Sequence, residues 1–348
     1  MKRLAYVDAL RGYAILMVIA VHSSQYFTNL SPTVTLLASQ GARGVQLFFV
    51  ASAMTLTMSW SARHDGAKAF YIRRFFRIAP MFYLCIPLFL YVNGLGPNMY
   101  APDGIGFRHI IMAVTFAHGF MPDTITSVVP GGWSIADEMM FYTVFPLLMA
   151  VRVRLVTGAA LVAAATIVCM LIEALAVVIT SYFASPTWLV LWKIFYFLWF
   201  FNQLPCFLFG ILVARCIEER QKIPAPILVV GSIALALIAV PLKAGVLLPT
   251  LYGFIFAVFA LGLSQWQPTL LVNPIICWIG KVSYSAYLIH LVLITQGWPF
   301  PRQTYAIAFI SLSTLTIAIS SLTYLFIEKP FIRIGHAIAL RGSTRPAA

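Results

Sequence analysis

The chain has 348 residues, 61% of them hydrophobic and only 9% charged, with a formal net charge of +13. A charged fraction so far below the about 25% typical of soluble domains excludes an ordinary globular fold. The excess of lysine and arginine would suit nucleic acid, but these residues sit in short stretches between apolar runs, where membrane topology is the simpler cause and no nucleic acid is expected.

In chain order, the apolar runs predict ten spans at about 13–30, 44–60, 78–93, 133–151, 156–180, 189–214, 225–241, 246–264, 277–297 and 303–327. Each is close to the roughly 20 residues needed to cross a hydrocarbon core about 30 Å thick. Isolated strands cannot satisfy their backbone in lipid, so the spans are helical. The expected fold class is an all-α integral membrane protein of about ten transmembrane helices, one domain over 1–348 with no appended soluble domain. The opening MKRLAYVDALRGYAILMVIAVHSS has the charge pattern of a secretory signal. It lacks a small-x-small cleavage site and is read as the first span. The stretch 108–120 is too short to span comfortably and is expected to be re-entrant or interfacial. It belongs to a longer Gly- and Pro-rich segment, 94–132, whose aromatics and histidines (His109, His118) suggest a folded cap over one end of the bundle.

An even number of spans with both termini cytoplasmic puts 18 of the 23 basic residues inside: Lys2, Arg3, Arg11, Arg63, Lys68, Arg73, Arg74, Arg77, Arg152, Arg154, Arg215, Arg220, Lys222, Lys281, Lys329, Arg333, Arg341 and Arg345. Arg43, Arg108, Lys193, Lys243 and Arg302 fall outside, so the span count and the orientation support one another. The five cysteines have no metal-ligand spacing and read as buried thiols; no metal is expected.

Titratable residues inside a membrane are expensive and mark sites. In RGYAILMVIAVH, eleven helical steps bring His22 to within about 20° of Arg11 around the axis and about 16 Å further along it. Asp8 falls on the same stripe, one turn before Arg11. The plain alternative is an orienting arginine and a hydrogen-bonded histidine. In FYIRRFFRIAP, Arg74 and Arg77 share a helical face, and such guanidinium forks suit phosphate; orientation of the span would account for them equally. Glu138, in PGGWSIADEMMFYTVFPLL, lies a turn inside the fourth span, where it could exchange a proton or pair with an arginine. Its neighbour Asp137 points about 100° away and is expected to face water. His290, in KVSYSAYLIHLVL, reaches a depth similar to that of His22, so the two could share a site or His290 could be a packed core residue. Glu328, in YLFIEKPFIR, is expected to pair with an arginine at the inner side. Glu173 has no recognisable pattern around it.

Taken together, the ordered segments DALRGYAILMVIAVH, GVQLFFVASAMTL, FYIRRFFRIAP, PGGWSIADEMMFYTVFPLL, SYSAYLIH and FIEKPF resemble membrane-bound acyltransferase family 3, the bacterial surface-polysaccharide O-acetylase type. The resemblance implies an O-acyltransferase of the bacterial plasma (inner) membrane. Its donor would be cytoplasmic acyl-CoA, usually acetyl-CoA, and its acceptor a hydroxyl of a glycan or lipid-linked glycan at the outer face, with polysaccharide-assembly proteins as possible partners. Carried onto this sequence, it marks Arg11, His22, Arg74, Arg77 and Glu138, and less firmly Glu328. The sequence departs from the family pattern at Gln46, at Ser52-Ala53 and at Asp137, and the outer hydrolase domain of some relatives has no counterpart.

The layout then suggests His22, Glu138 and Arg11 as catalytic residues, Arg74 and Arg77 as holders of the CoA phosphates, and His290, Glu328 and Asp8 as secondary members. Glu138 is expected to reach His22 or the acceptor from the outer side. The rival reading is a transporter or flippase with His22, Glu138 and His290 as a proton relay, although no repeat symmetry supports it. An inactive scaffold is a third possibility.

Overall fold

A computed structural model describes residues 4–343 except 64, 152, 181, 183, 184, 221, 222, 243, 244, 246 and 297–303. Lys2, Arg3, Arg152, Lys222, Lys243, Arg302 and Arg345 therefore lie outside the described residues. The helices are α1 (Ala5–Ser24), α2 (Pro32–Ser39), α3 (Gly44–Arg63), α4 (Gly66–Asn93), α5 (Phe107–Val114), α6 (Trp133–Ala150), α7 (Leu155–Thr180), α8 (Pro186–Leu198), α9 (Phe200–Glu218), α10 (Ala225–Ala239), α11 (Leu247–Gln265), α12 (Pro274–Lys281), α13 (Ser283–Thr295), α14 (Tyr305–Thr323) and α15 (Lys329–Ser343). Among the described residues there is no strand, only an isolated bridge between Asn98 and Ala101.

Seven helices or joined helices are long and apolar enough to cross a membrane, and the bent pair α12–α13 makes an eighth. Each of the ten predicted segments overlaps a helix or a joined pair, the first displaced toward the N-terminus because α1 ends at Ser24; the two outside that set are α6, which carries Asp137 and Glu138, and α10, which is 15 residues long. The predicted 60–80 loop is a correction. Only a two-residue break separates α3 from α4, which begins twelve residues before the predicted span, so the arginine-rich FYIRRFFR is already helical. Hydropathy placed the boundary at the arginines, whereas buried acids and tyrosines receive some of them inside the bundle. The last span is likewise longer than expected, because a π-helical turn at Tyr324–Glu328 carries α14 into α15.

Close packing depends on small residues, as is usual where apolar burial gives helices in lipid little reason to associate. A Cβ on Gly280 would lie 1.7 Å from the Asp8 carbonyl oxygen, and one on Gly12 would lie 2.3 Å from that of Ile276, so α12 can lie against α1 only with glycine at both places. Gly210 seats α9 against the Val50 carbonyl of α3 in the same way, at 2.4 Å. The core at this contact is aromatic: Phe207 stacks on Phe49 and on Phe141 at centroid distances of 4.4 and 4.3 Å.

The segment 94–132 is folded, as its composition suggested. α5 and a 3-10 turn at Ala117–Phe120 are both too short to cross, and the stretch from Asp123 to Val129 is largely buried. Arg108 is ion-paired with Asp123, and His118 Nε2 lies 3.0 Å from the Gly132 carbonyl.

Candidate active site

Two cavities meet at three arginines. The larger, about 390 Å³, opens at the N-terminal end of α1 and is lined by Asp8, Arg11, Arg63, Arg74, Arg77, Lys281 and His336 among others. The smaller, about 70 Å³, lies further inside and shares Arg11, Arg74 and Arg77; it adds Ser52, Ser134, Glu138, Tyr142, Tyr284 and Tyr287. Helical spacing explains the shared wall: Arg74 and Arg77 are three apart on α4, and α1 presents Arg11 one turn beyond Asp8.

Glu138 belongs to this arginine site. Ser52 Oγ donates to its Oε1 at 2.5 Å, and Tyr142, one turn further along α6, donates its hydroxyl to the same oxygen at 2.6 Å. Its carboxylate lies within electrostatic reach of Arg11, Arg74 and Arg77. The expectation that Glu138 reaches His22 is therefore corrected, since its hydrogen bonds run to α3 and along α6. Asp137 is also corrected. It is fully buried rather than facing water, and neither carboxylate oxygen has a partner among the described residues.

Glu328 is a structural clasp. Its Oε2 accepts from Arg77 Nη1 at 2.9 Å, while its Oε1 accepts from the Ser285 backbone N–H at 3.1 Å and from the Ser285 hydroxyl. It thus places a carboxylate at the N-terminus of α13, where unpaired backbone donors favour an anion. Tyr284 completes the joint by donating to the Ile78 carbonyl at 2.7 Å, with the Arg77 guanidinium over its ring. Sequence reasoning expected an arginine partner for Glu328. It did not foresee the break between α12 and α13, a bend of 74°, which creates the helix end that Glu328 fills.

With Arg77 engaged by Glu328, Arg11 and Arg74 carry the remaining positive charge, reinforced at the entrance by Arg63 and Lys281. Arg74 Nε is buried with no partner among the described residues. A cavity with more guanidinium than carboxylate, and with an open donor, is built for an anion with several oxygens.

His22 lies elsewhere, near the far end of α1, with His290 beside it at a ring-centroid distance of 5.3 Å. His290 is wholly buried, and its Nδ1 lies 3.0 Å from the Ala286 carbonyl. A carbonyl can only accept, so Nδ1 carries a hydrogen, while Nε2 is buried with no partner among the described residues. His22 is half-buried, and its Nδ1 lies 3.3 Å from Gln25 Oε1. Tyr287 joins the two centres: it lines the inner cavity, and its ring lies 5.8 Å from that of His290. The Tyr287 hydroxyl donates to Gly131 O at 3.0 Å and accepts from Ser134 at 2.8 Å. Gly131 has φ +72°, and a Cβ there would meet the Tyr287 hydroxyl at 3.1 Å, so this crossing tolerates only glycine.

Sequence reasoning missed Arg63, Lys281, His336 and Tyr284 as part of the site. Their signal was weak, because each reads as an ordinary residue at the end of a span. The departure at Gln46 also acquires a partner: Gln46 Nε2 donates to Gln203 Oε1 at 2.9 Å, a buried amide pair between α3 and α9. Among the described residues no group of three or more His, Cys, Asp or Glu side chains is placed to hold a metal ion.

The profile of a protein family described as an acyltransferase domain matches residues 4–325. The acyltransferase MdmB of Streptomyces mycarofaciens is 24% identical, over 99% of this chain and 94% of its own length. Proteins of Staphylococcus aureus strains COL and MSSA476, each bearing the name "putative O-acetyltransferase", are 25% identical over 96% of this chain, which spans 58% of their length. No solved structure matches the chain.

Proposed function

The chain belongs to acyltransferase family 3, and from that premise we propose that it transfers an acyl group, acetyl in the simplest case, from acyl-CoA to a hydroxyl of a glycan or lipid-linked glycan. The donor enters the larger cavity, which lies on the cytoplasmic side of a ten-span bundle in the plasma membrane, with both termini on that side. Arg11 and Arg74 hold its phosphates, and Arg77, already paired with Glu328, completes the wall of the phosphate site. The pantetheine arm passes Glu138 and Tyr287 and brings the thioester to the histidine pair. The single observation that carries this reading is the sharing of three arginines by an open basic cavity and an inner one whose wall includes Tyr287, a ring neighbour of His290, which in turn neighbours His22.

The chemistry follows from the tautomers. His22 takes the proton of the acceptor hydroxyl as its oxygen attacks the thioester carbonyl. The carbon–sulfur bond breaks, and the proton passes to the departing CoA thiolate. While His22 carries that proton, the lone pair on His290 Nε2 is the acceptor beside it, which makes His290 a positioning residue. Glu138, held by Ser52 and Tyr142, offsets the guanidinium charges when the donor is absent and keeps them in register. A transporter using His22, Glu138 and His290 as one relay is less well supported, because Glu138 is bonded into the arginine cavity rather than to either histidine.

Detergent-solubilised protein given labelled acetyl-CoA tests the proposal. Release of CoA with label transferred to a glycan acceptor or to water, without a sealed membrane, is the expected result. Gradient-dependent solute uptake into vesicles with no CoA release would overturn it.

A further inference from the structure

The histidine end of the bundle holds a cation without an acid. Arg43 closes the 3-10 turn Gln40–Arg43 between α2 and α3. Its guanidinium carbon lies 5.5 Å from the centroid of Tyr252 on α11 and 5.9 Å from that of Phe197 on α8. Among the described residues no carboxylate pairs with it, and its Nε is buried without a partner. Arg108, by contrast, is neutralised by Asp123.

The depth of Arg43 follows from its neighbours. Gly41 packs against the backbone at Met17 and Val21, and Gly44 against that at Ala14. Arg43 therefore lies beside the half of α1 that ends at His22, inside the bundle rather than above it. An unpaired guanidinium at such a place is costly and calls for a counter-charge. Both rings lie within cation–π range of the guanidinium, whose N–H groups form a fork able to grip two oxygens of a phosphate. The helix that leads directly into this turn is apolar and outward-facing: Leu36 and Leu37 on α2 are both exposed on the bundle surface. A free anion gains nothing from that wall, whereas an amphiphile places its chain there.

We propose that Arg43, with Phe197 and Tyr252 as an aromatic clamp within cation–π range of its guanidinium, seats the phosphate of a lipid at this end of the bundle. The proposal rests on the membrane bundle alone and not on acyl transfer, so its test needs no turnover. Native mass spectrometry of the purified full chain in a neutral detergent is titrated with phosphatidylglycerol, a polyisoprenyl phosphate and inorganic phosphate in separate arms. Wild type binds a lipid phosphate with an affinity about tenfold or more above that of Arg43→Gln, the size expected for losing a charged hydrogen-bonded contact. Tyr252→Leu keeps the charge but removes half the clamp; it also weakens binding and carries the test if Arg43→Gln does not fold. Tighter binding of the polyisoprenyl phosphate identifies the carrier of a lipid-linked acceptor as the occupant, and tighter phosphatidylglycerol binding identifies a bilayer lipid. Equal lipid binding by wild type and the variants, or inorganic phosphate binding as tightly as either lipid, overturns the proposal.

Discussion

His22 is the residue on which the proposed chemistry turns, and its removal is expected to separate catalysis from folding. It is half-buried and its side chain bonds to Gln25, three residues on, so His22→Ala leaves helix packing intact. The variant accumulates normally and loses acyl transfer; activity within a few-fold of wild type, measured with labelled acetyl-CoA, removes His22 from the mechanism. The arginines divide by their partners. Arg74→Ala raises the apparent KM for acetyl-CoA more than that for the acceptor, with little change in thermal midpoint. Arg77→Ala strips the counter-ion from buried Glu328 and destabilises the fold by about 3–5 kcal/mol, visible as a lowered unfolding midpoint. Equal midpoints for the two variants would contradict this division. At this scale the sequence was readable as spacing: Arg11 to His22 and Arg74 to Arg77 gave faces and depth. It offered an arginine partner for Glu138 only as one alternative, without saying which arginine, and it did not bury Asp137, because a helical wheel fixes an angle on one helix and says nothing about which neighbour meets it.

At the scale of elements, the joint between α12 and α13 shows why part of the fold was hidden. SYSAYLIH reads as the middle of one continuous apolar run, yet the chain turns by 74° at its start, and Glu328, 43 residues after Ser285, fills the resulting helix end. Only a tertiary partner makes that break stable. The contact of α12 with α1 gives the sharpest packing test, since Gly280 has no room for even one carbon. Gly280→Leu forces α12 from α1 and abolishes accumulation in the membrane, and normal expression with a wild-type midpoint would refute that contact. The α3–α4 break is tied by Arg73, which holds both Asp65 oxygens, at 2.5 and 2.9 Å. Burial alone would raise the Asp65 carboxyl, but the Arg73 bonds and charge, with Arg63 nearby, hold it below the usual carboxylate value. Because the folded value is depressed, the tie stabilises at neutral pH and its contribution is lost as pH falls through that lowered value. The midpoint gap between wild type and Asp65→Asn therefore narrows on acidification; a constant gap would show that the tie does not titrate.

For the molecule as a whole, the two ends of the bundle have opposite characters. One gathers Arg63, Lys281 and His336 around an open cavity, and the other places two imidazoles side by side. Hydropathy made the helical bundle legible because lipid leaves few alternatives for a chain of this composition. The ordered segments carry the family resemblance in the sequence itself. What stayed hidden was the separation of the polar residues into an arginine centre and a histidine centre bridged by Tyr287, which arises from how α1, α4, α6 and α13 converge. The central claim is that these centres act in sequence on one donor molecule. It is tested most directly by single-turnover measurements with labelled acetyl-CoA on wild type, Arg74→Ala and His22→Ala in lipid nanodiscs, following donor binding and CoA release separately. Arg74→Ala is expected to bind the donor weakly but still release CoA at saturating donor, and His22→Ala to bind it normally and release none. CoA release at the wild-type rate by His22→Ala, or unaltered donor affinity in Arg74→Ala, would contradict the account.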